Sequence, residues 1–258
     1  MRKRLLGIVM MGMILLLTMA NPLLAGGWVV VTLDALPREV VAGESTSVGF
    51  VIRQHGQTLI NLSGPGPLVE AQNTATGERI QAIAQQDGFT GHYRATISFP
   101  SSGVWNWQIN PQPFTTVALM PPLTVHSGSP PVTVDQPLAS SLLLVVQMVQ
   151  QWWTQMVTTT QPTEQSPSQD DLALYGQDLF LAKGCTACHL HSAAPTAWNT
   201  QEGPDLSHYD KTAAFLHLWL ADPADVKPTT EMPNLDLNPT EIEALAAFLV
   251  QNSAAESY

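Results

Sequence analysis

Both cysteines of this 258-residue chain fall within one pentapeptide, Cys185-Thr186-Ala187-Cys188-His189. Two cysteines three positions apart cannot staple distant segments together, so the chain must build its cores by packing. A zinc site would need a second ligand pair, and the chain has no further cysteine. A thioredoxin-like pair would open a helix after a strand. Here a helix-like segment, Leu172–Lys183, runs into the motif instead. A local disulfide is open to the two thiols in an oxidising compartment, but it leaves His189 without a role.

The C-x-x-C-H spacing has a further meaning. It is the attachment site of c-type haem. Two thiols add across the two vinyl groups of one porphyrin, and the adjacent histidine ligates the iron. We expect one covalently attached haem c, bound by Cys185 and Cys188, with His189 on the metal. The chain has one methionine after His189, Met232, in the loop Pro228-Thr229-Thr230-Glu231-Met232-Pro233. A methionine between a glutamate and a proline is a poor core residue, and thioether ligation raises a haem potential. Met232 is therefore the expected second axial ligand. His191 is too close to His189 to reach the opposite face; His208 and His217 remain rivals.

The start of the chain agrees with chemistry outside the cytoplasm. Arg2, Lys3 and Arg4 precede an apolar run from Leu5 to Met19 and small-residue exits at Ala20 and Ala25. This has the layout of a signal peptide over 1–25, and an uncleaved anchor is the alternative. Cleavage would take the formal charge from -11 to -14. An extracytoplasmic location, periplasmic or on the outer face of the membrane, is expected. So acidic a chain is a poor nucleic-acid ligand, because binding phosphate needs a basic face.

Residues 27–126 have the pattern of an all-β domain. Trp28–Leu33, Ser47–Arg53, Leu68–Ala71, Arg79–Ala84, His92–Phe99, Val104–Ile109 and Thr115–Leu119 are short apolar or alternating runs. Turn signals such as Ala42-Gly43-Glu44, Ser63-Gly64-Pro65-Gly66 and Gln86-Asp87-Gly88 separate them. About seven such strands predict an immunoglobulin-like sandwich. Alternation puts Tyr93, Ala95, Ile97 and Phe99 on one face. With Gly103-Val104-Trp105-Asn106-Trp107, this stretch resembles the small extracytoplasmic immunoglobulin-like domains of the YtkA/FixH-like group. His55, His92, Met120 and His126 are copper ligands by type, without a recognisable spacing. A docking or spacer module, holding the rest of the chain away from a membrane complex, is the expected role.

Residues 127–137 and 158–170 are linkers by composition. Between them, 138–157 predicts an amphipathic helix carrying Gln147, Gln150, Gln151, Thr154 and Gln155 as an uncharged stripe. It could span a membrane, lie against a partner or pack on the protein itself. Membrane association through this segment or through the N-terminus is therefore expected as one possibility.

Within the remaining block, 171–258, residues 171–252 resemble the class I c-type cytochromes. The resemblance rests on Gly176 and Phe180, Lys183-Gly184-Cys185-Thr186-Ala187-Cys188-His189, Gly203-Pro204-Asp205-Leu206, Phe215-Leu216, Trp219-Leu220-Ala221-Asp222-Pro223, Glu231-Met232-Pro233, and Leu245 with Phe248. It implies an all-α cytochrome c fold in which the Pro204 carbonyl accepts from the His189 ring and Trp219 packs beside the haem. It also implies that Gly176 and Phe180 meet Leu245 and Phe248 where the terminal helices cross. Thr229 stands where many relatives have glycine. Independently of the resemblance, Asn238-Pro239-Thr240-Glu241 reads as a capping box opening a helix.

The whole is expected to be a multidomain, exported monohaem cytochrome that transfers single electrons and catalyses no bond chemistry. Redox proteins, in a membrane respiratory or photosynthetic complex, are the expected partners. A haem-based gas or redox sensor, and an assembly or metal-delivery factor centred on the sandwich, are the alternatives. Residues 171–258 hold twelve acids and three bases, so a basic or neutral docking patch is expected on the partner.

Overall fold

The computed structural model describes residues 27–128, 168–194, 196 and 198–254. The expected signal segment 1–25, the helix 138–157 and most of both flanking linkers lie outside the described residues. The rest folds into two domains that pack directly on each other.

The N-terminal domain is a two-sheet sandwich. One sheet has the order β1–β3–β8–β7, formed by Val29–Leu33, Ser45–Gln54, His92–Ser98 and Gln85–Gln86, with β4 (Thr58–Leu59) paired to β3. The other has the order β2–β11–β9–β5–β6, formed by Val40–Val41, Leu123–His126, Gly103–Asn110, Leu68–Asn73 and Arg79–Ile83, with β10 (Ala118–Leu119) paired to β9. Alternating side chains fill the space between the sheets. Phe50, Ile52, Tyr93, Ala95 and Ile97 come from one sheet, and Val69, Trp105, Trp107 and Ile109 from the other. Both indoles are satisfied: Trp105 Nε1 donates to the Ser101 carbonyl at 3.1 Å and Trp107 Nε1 to the Pro121 carbonyl at 2.8 Å.

Among the described residues, eleven strands form where seven runs were legible. The run Thr115–Leu119 contracts to Ala118–Leu119, and Leu123–His126 is an unanticipated strand. Pro121 and Pro122 mask it in the sequence, because proline demotes a run as a strand candidate. The two-residue strands are too short to show a period.

The C-terminal domain is helical. Its elements are α1 (Gln169–Ala182), a 3₁₀ turn (Cys185–Ala187), α2 (Ala213–Ala221), α3 (Pro223–Val226) and α4 (Pro239–Ala254). Ser168 caps α1 by accepting from the Asp171 N–H at 3.1 Å. Asn238 and Glu241 cap α4 reciprocally: the Glu241 N–H reaches Asn238 Oδ1 at 3.0 Å, and the Asn238 N–H reaches Glu241 Oε2 at 3.1 Å. Helices α1 and α4 cross at Gly176. A Cβ there would lie 2.0 Å from the Ala244 carbonyl oxygen, so only glycine allows the approach. Phe180 and Phe248 meet beside this crossing, with centroids 5.6 Å apart.

The domain interface explains a departure from alternation. All five residues of β1 are buried. Val29, Val31 and Leu33 face the sandwich core, whereas Val30 and Thr32 face the helical domain. Gly184 comes so close that a Cβ would sit 2.6 Å from Val30 Cγ1 and 2.7 Å from the Val31 carbonyl oxygen. Its φ of +78° also favours glycine. Beside it, Lys183 is a buried cation. Its ammonium donates to the Leu33 and Asp34 carbonyls, both at 3.1 Å, and pairs with Glu241 Oε1 at 2.8 Å. Three donors thus meet three oxygens from two domains. Leu36 packs against both cores, and Arg38 lies over the Tyr175 ring at 5.1 Å. The sandwich is therefore built directly onto the helical domain.

Candidate haem site

The cysteine motif occupies the 3₁₀ turn that follows Gly184. Side chains three apart eclipse one another in such a turn, so Cys185 and Cys188 emerge on one face. The turn is closed by hydrogen bonds from the Cys188 and His189 N–H groups to the Cys185 carbonyl, at 3.2 and 2.9 Å. Both thiols are free. Burial pushes the Cys185 thiol up to about 12, with neighbouring Cys188 adding to the effect. Burial also raises the Cys188 pKa, although Thr200 works against it.

His189 is oriented from its other nitrogen. Its Nδ1 lies 2.9 Å from the Pro204 carbonyl oxygen. A carbonyl only accepts, so Nδ1 carries the proton and Nε2 presents a lone pair. Burial lowers the pKa of this imidazole, which favours the neutral, ligating form, while the Pro204 bond acts in the opposite direction. Gly203 fits against the ring: a Cβ there would stand 2.4 Å from His189 Nδ1. The Pro204 segment is tied alongside the motif by the Thr200 N–H to the Ala187 carbonyl, the Gly203 N–H to the Cys188 carbonyl and the Leu206 N–H to the Leu190 carbonyl.

Met232 lies in the loop between α3 and α4, half-buried against the helical core. The indole Nε1 of Trp219, on α2, donates to Met232 Sδ at 2.9 Å. A thioether sulfur has two lone pairs, so one stays open. Trp219 therefore addresses the sulfur itself, a contact the sequence reading lacked. The loop is shaped by the Thr230 hydroxyl, which accepts from the Met232 N–H at 3.2 Å, and by Asn234, which donates to the Ala221 carbonyl at 3.3 Å. Among the described residues, non-glycine positive φ occurs at Glu39, His55, Gln201 and Asp236. Thr229 thus sits in ordinary backbone, and this loop does not need glycine there.

The other histidines fall outside this arrangement. His191 is buried between Phe180 and Phe248, with ring centroids 5.6 and 4.3 Å away. Burial lowers its pKa. His208 and His217 are exposed. In the sandwich, His92 is engaged by Asp34 and Asp87, Met120 is in the core and His126 is exposed. Among the described residues, no cluster of three or more His, Cys, Asp or Glu side chains could hold a metal ion. No described helix is long and apolar enough to cross a membrane.

The donor set fits a c-type haem: two thiols on one face, an imidazole with Nε2 open, and a thioether with one lone pair open. No curated protein matches the chain. The family described as Cytochrome c matches residues 173–253. That family binds haem covalently, and Cys185 and Cys188 are the only cysteines this chain offers. The helical half of the molecule is a cytochrome c domain, a haem-bearing electron-transfer module fused to a β-sandwich.

Proposed function

We propose that the protein is an exported one-electron carrier whose haem is ligated by His189 and Met232. One observation carries this reading. The two candidate ligands are each held by a hydrogen bond at one atom, which leaves one lone pair open for a metal. Bound haem supplies the Fe(III)/Fe(II) couple. The chain's own residues do the rest. The Pro204 carbonyl holds the proton on His189 Nδ1 and keeps Nε2 basic. The Trp219 indole holds the sulfur of Met232 in place and draws electron density from it. Cys185 and Cys188 secure the group covalently, so that it is not lost when the charge on the iron changes.

A carrier of this kind works with redox partners. The acidic balance of residues 171–258 favours a partner with a basic docking patch, steered by opposite charge. A membrane respiratory or photosynthetic complex suits such a carrier. Pre-steady-state electron transfer to the physiological partner should then slow as salt is added; a rate that rises with ionic strength would remove mutual attraction from the picture.

The ligand assignment is tested on the full-length holoprotein. The parent should bind carbon monoxide slowly in the ferrous state, and Met232→Ala should bind it rapidly and at a more negative midpoint potential. Rapid binding by the parent would favour a sensor with an open iron site. Identical behaviour of parent and variant would remove Met232 as a ligand.

A further inference from the structure

We infer that the sandwich positions the Met232 loop, with Arg53 and Gln57 as the positioning residues. This inference rests on the reading of Met232 as a ligand. The loop from Thr230 to Asn238 contains no regular structure. Within the cytochrome domain it is tethered by Trp219 to Met232 Sδ and by Asn234 to the Ala221 carbonyl. The sandwich adds two contacts that bracket the methionine. Gln57, in the turn between β3 and β4, donates its side-chain N–H to the carbonyl of Glu231, the residue immediately before Met232. Arg53, on β3, places Nη2 3.9 Å from Asp236 Oδ2, four residues after it.

The same strands also grip the other side of the site. Arg53 Nη1 donates to Thr32 Oγ1 at 3.3 Å, and that hydroxyl donates to the Lys183 carbonyl at 3.3 Å. Lys183 is two residues before Cys185. A polar chain therefore runs from the backbone beside the cysteine motif, through Thr32 and Arg53, to Asp236 on the methionine loop. Most of it is sheltered: Arg53 and Thr32 are buried. Parting the methionine loop from the motif would break this chain. The restraint is supplied by a domain that contributes no ligand. An electron carrier benefits from such a brace, because a ligand loop that moves when the iron changes charge adds to the barrier for transfer.

The test uses full-length holoprotein in four forms besides the parent: the double variant Arg53→Ala/Gln57→Ala, Asp236→Asn, Arg38→Ala and Met232→Ala. Asp236 is 88% exposed, so its substitution leaves folding intact even where loss of buried Arg53 does not. Arg38 makes an interdomain contact to Tyr175 on α1, not to the loop, and serves as the control. The readouts are cyanide binding to the ferric protein, the thioether-to-iron charge-transfer band and the midpoint potential. The double variant should bind cyanide roughly tenfold faster, the effect of losing one to two ordinary hydrogen bonds. Its charge-transfer band should weaken and its potential should fall. Asp236→Asn should shift all three in the same direction by less, and Arg38→Ala should match the parent. Parent-like values in both loop-side variants, with rapid binding in Met232→Ala, would overturn the brace alone. So would an equal shift in Arg38→Ala, which would mean that any loosening of the interface suffices. A parent without the band, and unchanged by Met232→Ala, would remove the ligand assignment and the brace with it.

Discussion

In the sandwich, most polar groups inside the fold find partners, with Thr116 Oγ1 the exception among the described residues. Both core indoles have carbonyl acceptors, and His92 is held by Asp34 Oδ2 at 2.9 Å and by the Asp87 carbonyl at 2.5 Å. The cytochrome domain differs. His189 and Met232 are each held at one atom and open at another, and the described residues between the 3₁₀ turn and α2 form no helix or strand. Loops that long in a compact domain are usually functional. One domain closes on its own side chains, whereas the other is arranged around a group the chain does not itself provide. The difference teaches where the molecule needs support. The brace from β1 and β3 arrives at the domain that is incomplete without its cofactor.

The largest challenge to that picture is Lys183→Met. It should leave Glu241 as a buried, unpaired carboxylate and cost about 3–5 kcal/mol. Adding Glu241→Leu should recover part of the loss, since the stranded charge goes, although the Asn238 cap goes too. Denaturant unfolding followed at the sandwich tryptophans and at the haem should give two closely spaced transitions in the parent and two widely separated ones in Lys183→Met. Closely spaced, unshifted transitions in the variant would show that the domains do not depend on this contact.

A smaller effect should stay within the helical half. Gly176→Ala forces a methyl against the Ala244 carbonyl and should cost about 1–3 kcal/mol, the usual range for overpacking. The haem-detected transition should move to lower denaturant, and the sandwich should retain its secondary structure at the concentration where the haem signal is lost. Equal loss in both halves would make the molecule a single cooperative unit, with the comparison above describing contacts and not stability.

The smallest effect belongs to the sandwich alone. Burial works against a charged His92, but Asp34 and Asp87 outweigh it and hold its pKa above the ordinary value. A raised folded pKa stabilises fully below the unfolded value of ~6.5, and that contribution is lost as pH rises through the folded value. The melting temperature of the parent, minus that of His92→Gln, should therefore shrink as pH rises across that window. Parallel profiles would show that the Asp34 pair contributes nothing that titrates.

Much of this was legible because it is local. The alternation of Tyr93, Ala95, Ile97 and Phe99 predicts the buried face of β8, and all four are buried. The cysteine motif needs five consecutive residues. The capping box at Asn238 needs four. The interface was not legible for the opposite reason. Lys183 finds the Leu33 and Asp34 carbonyls some 150 positions away, and a backbone carbonyl has no side-chain signature. Glu241 shows the divide within one residue. Its Oε2 caps α4, as the local pattern predicts, while its Oε1 meets Lys183, which only the tertiary fold brings near. Trp219 is a similar case: its helix was readable, but the direction of its N–H was not.

The socket around Lys183 also bears on topology. Domains that share a buried ammonium must occupy one compartment. Gly128, where the described sandwich ends, and Ser168, where the described cytochrome domain begins, therefore lie on the same side of any bilayer. Separating the two domains across a bilayer would pull Lys183 from its three oxygens.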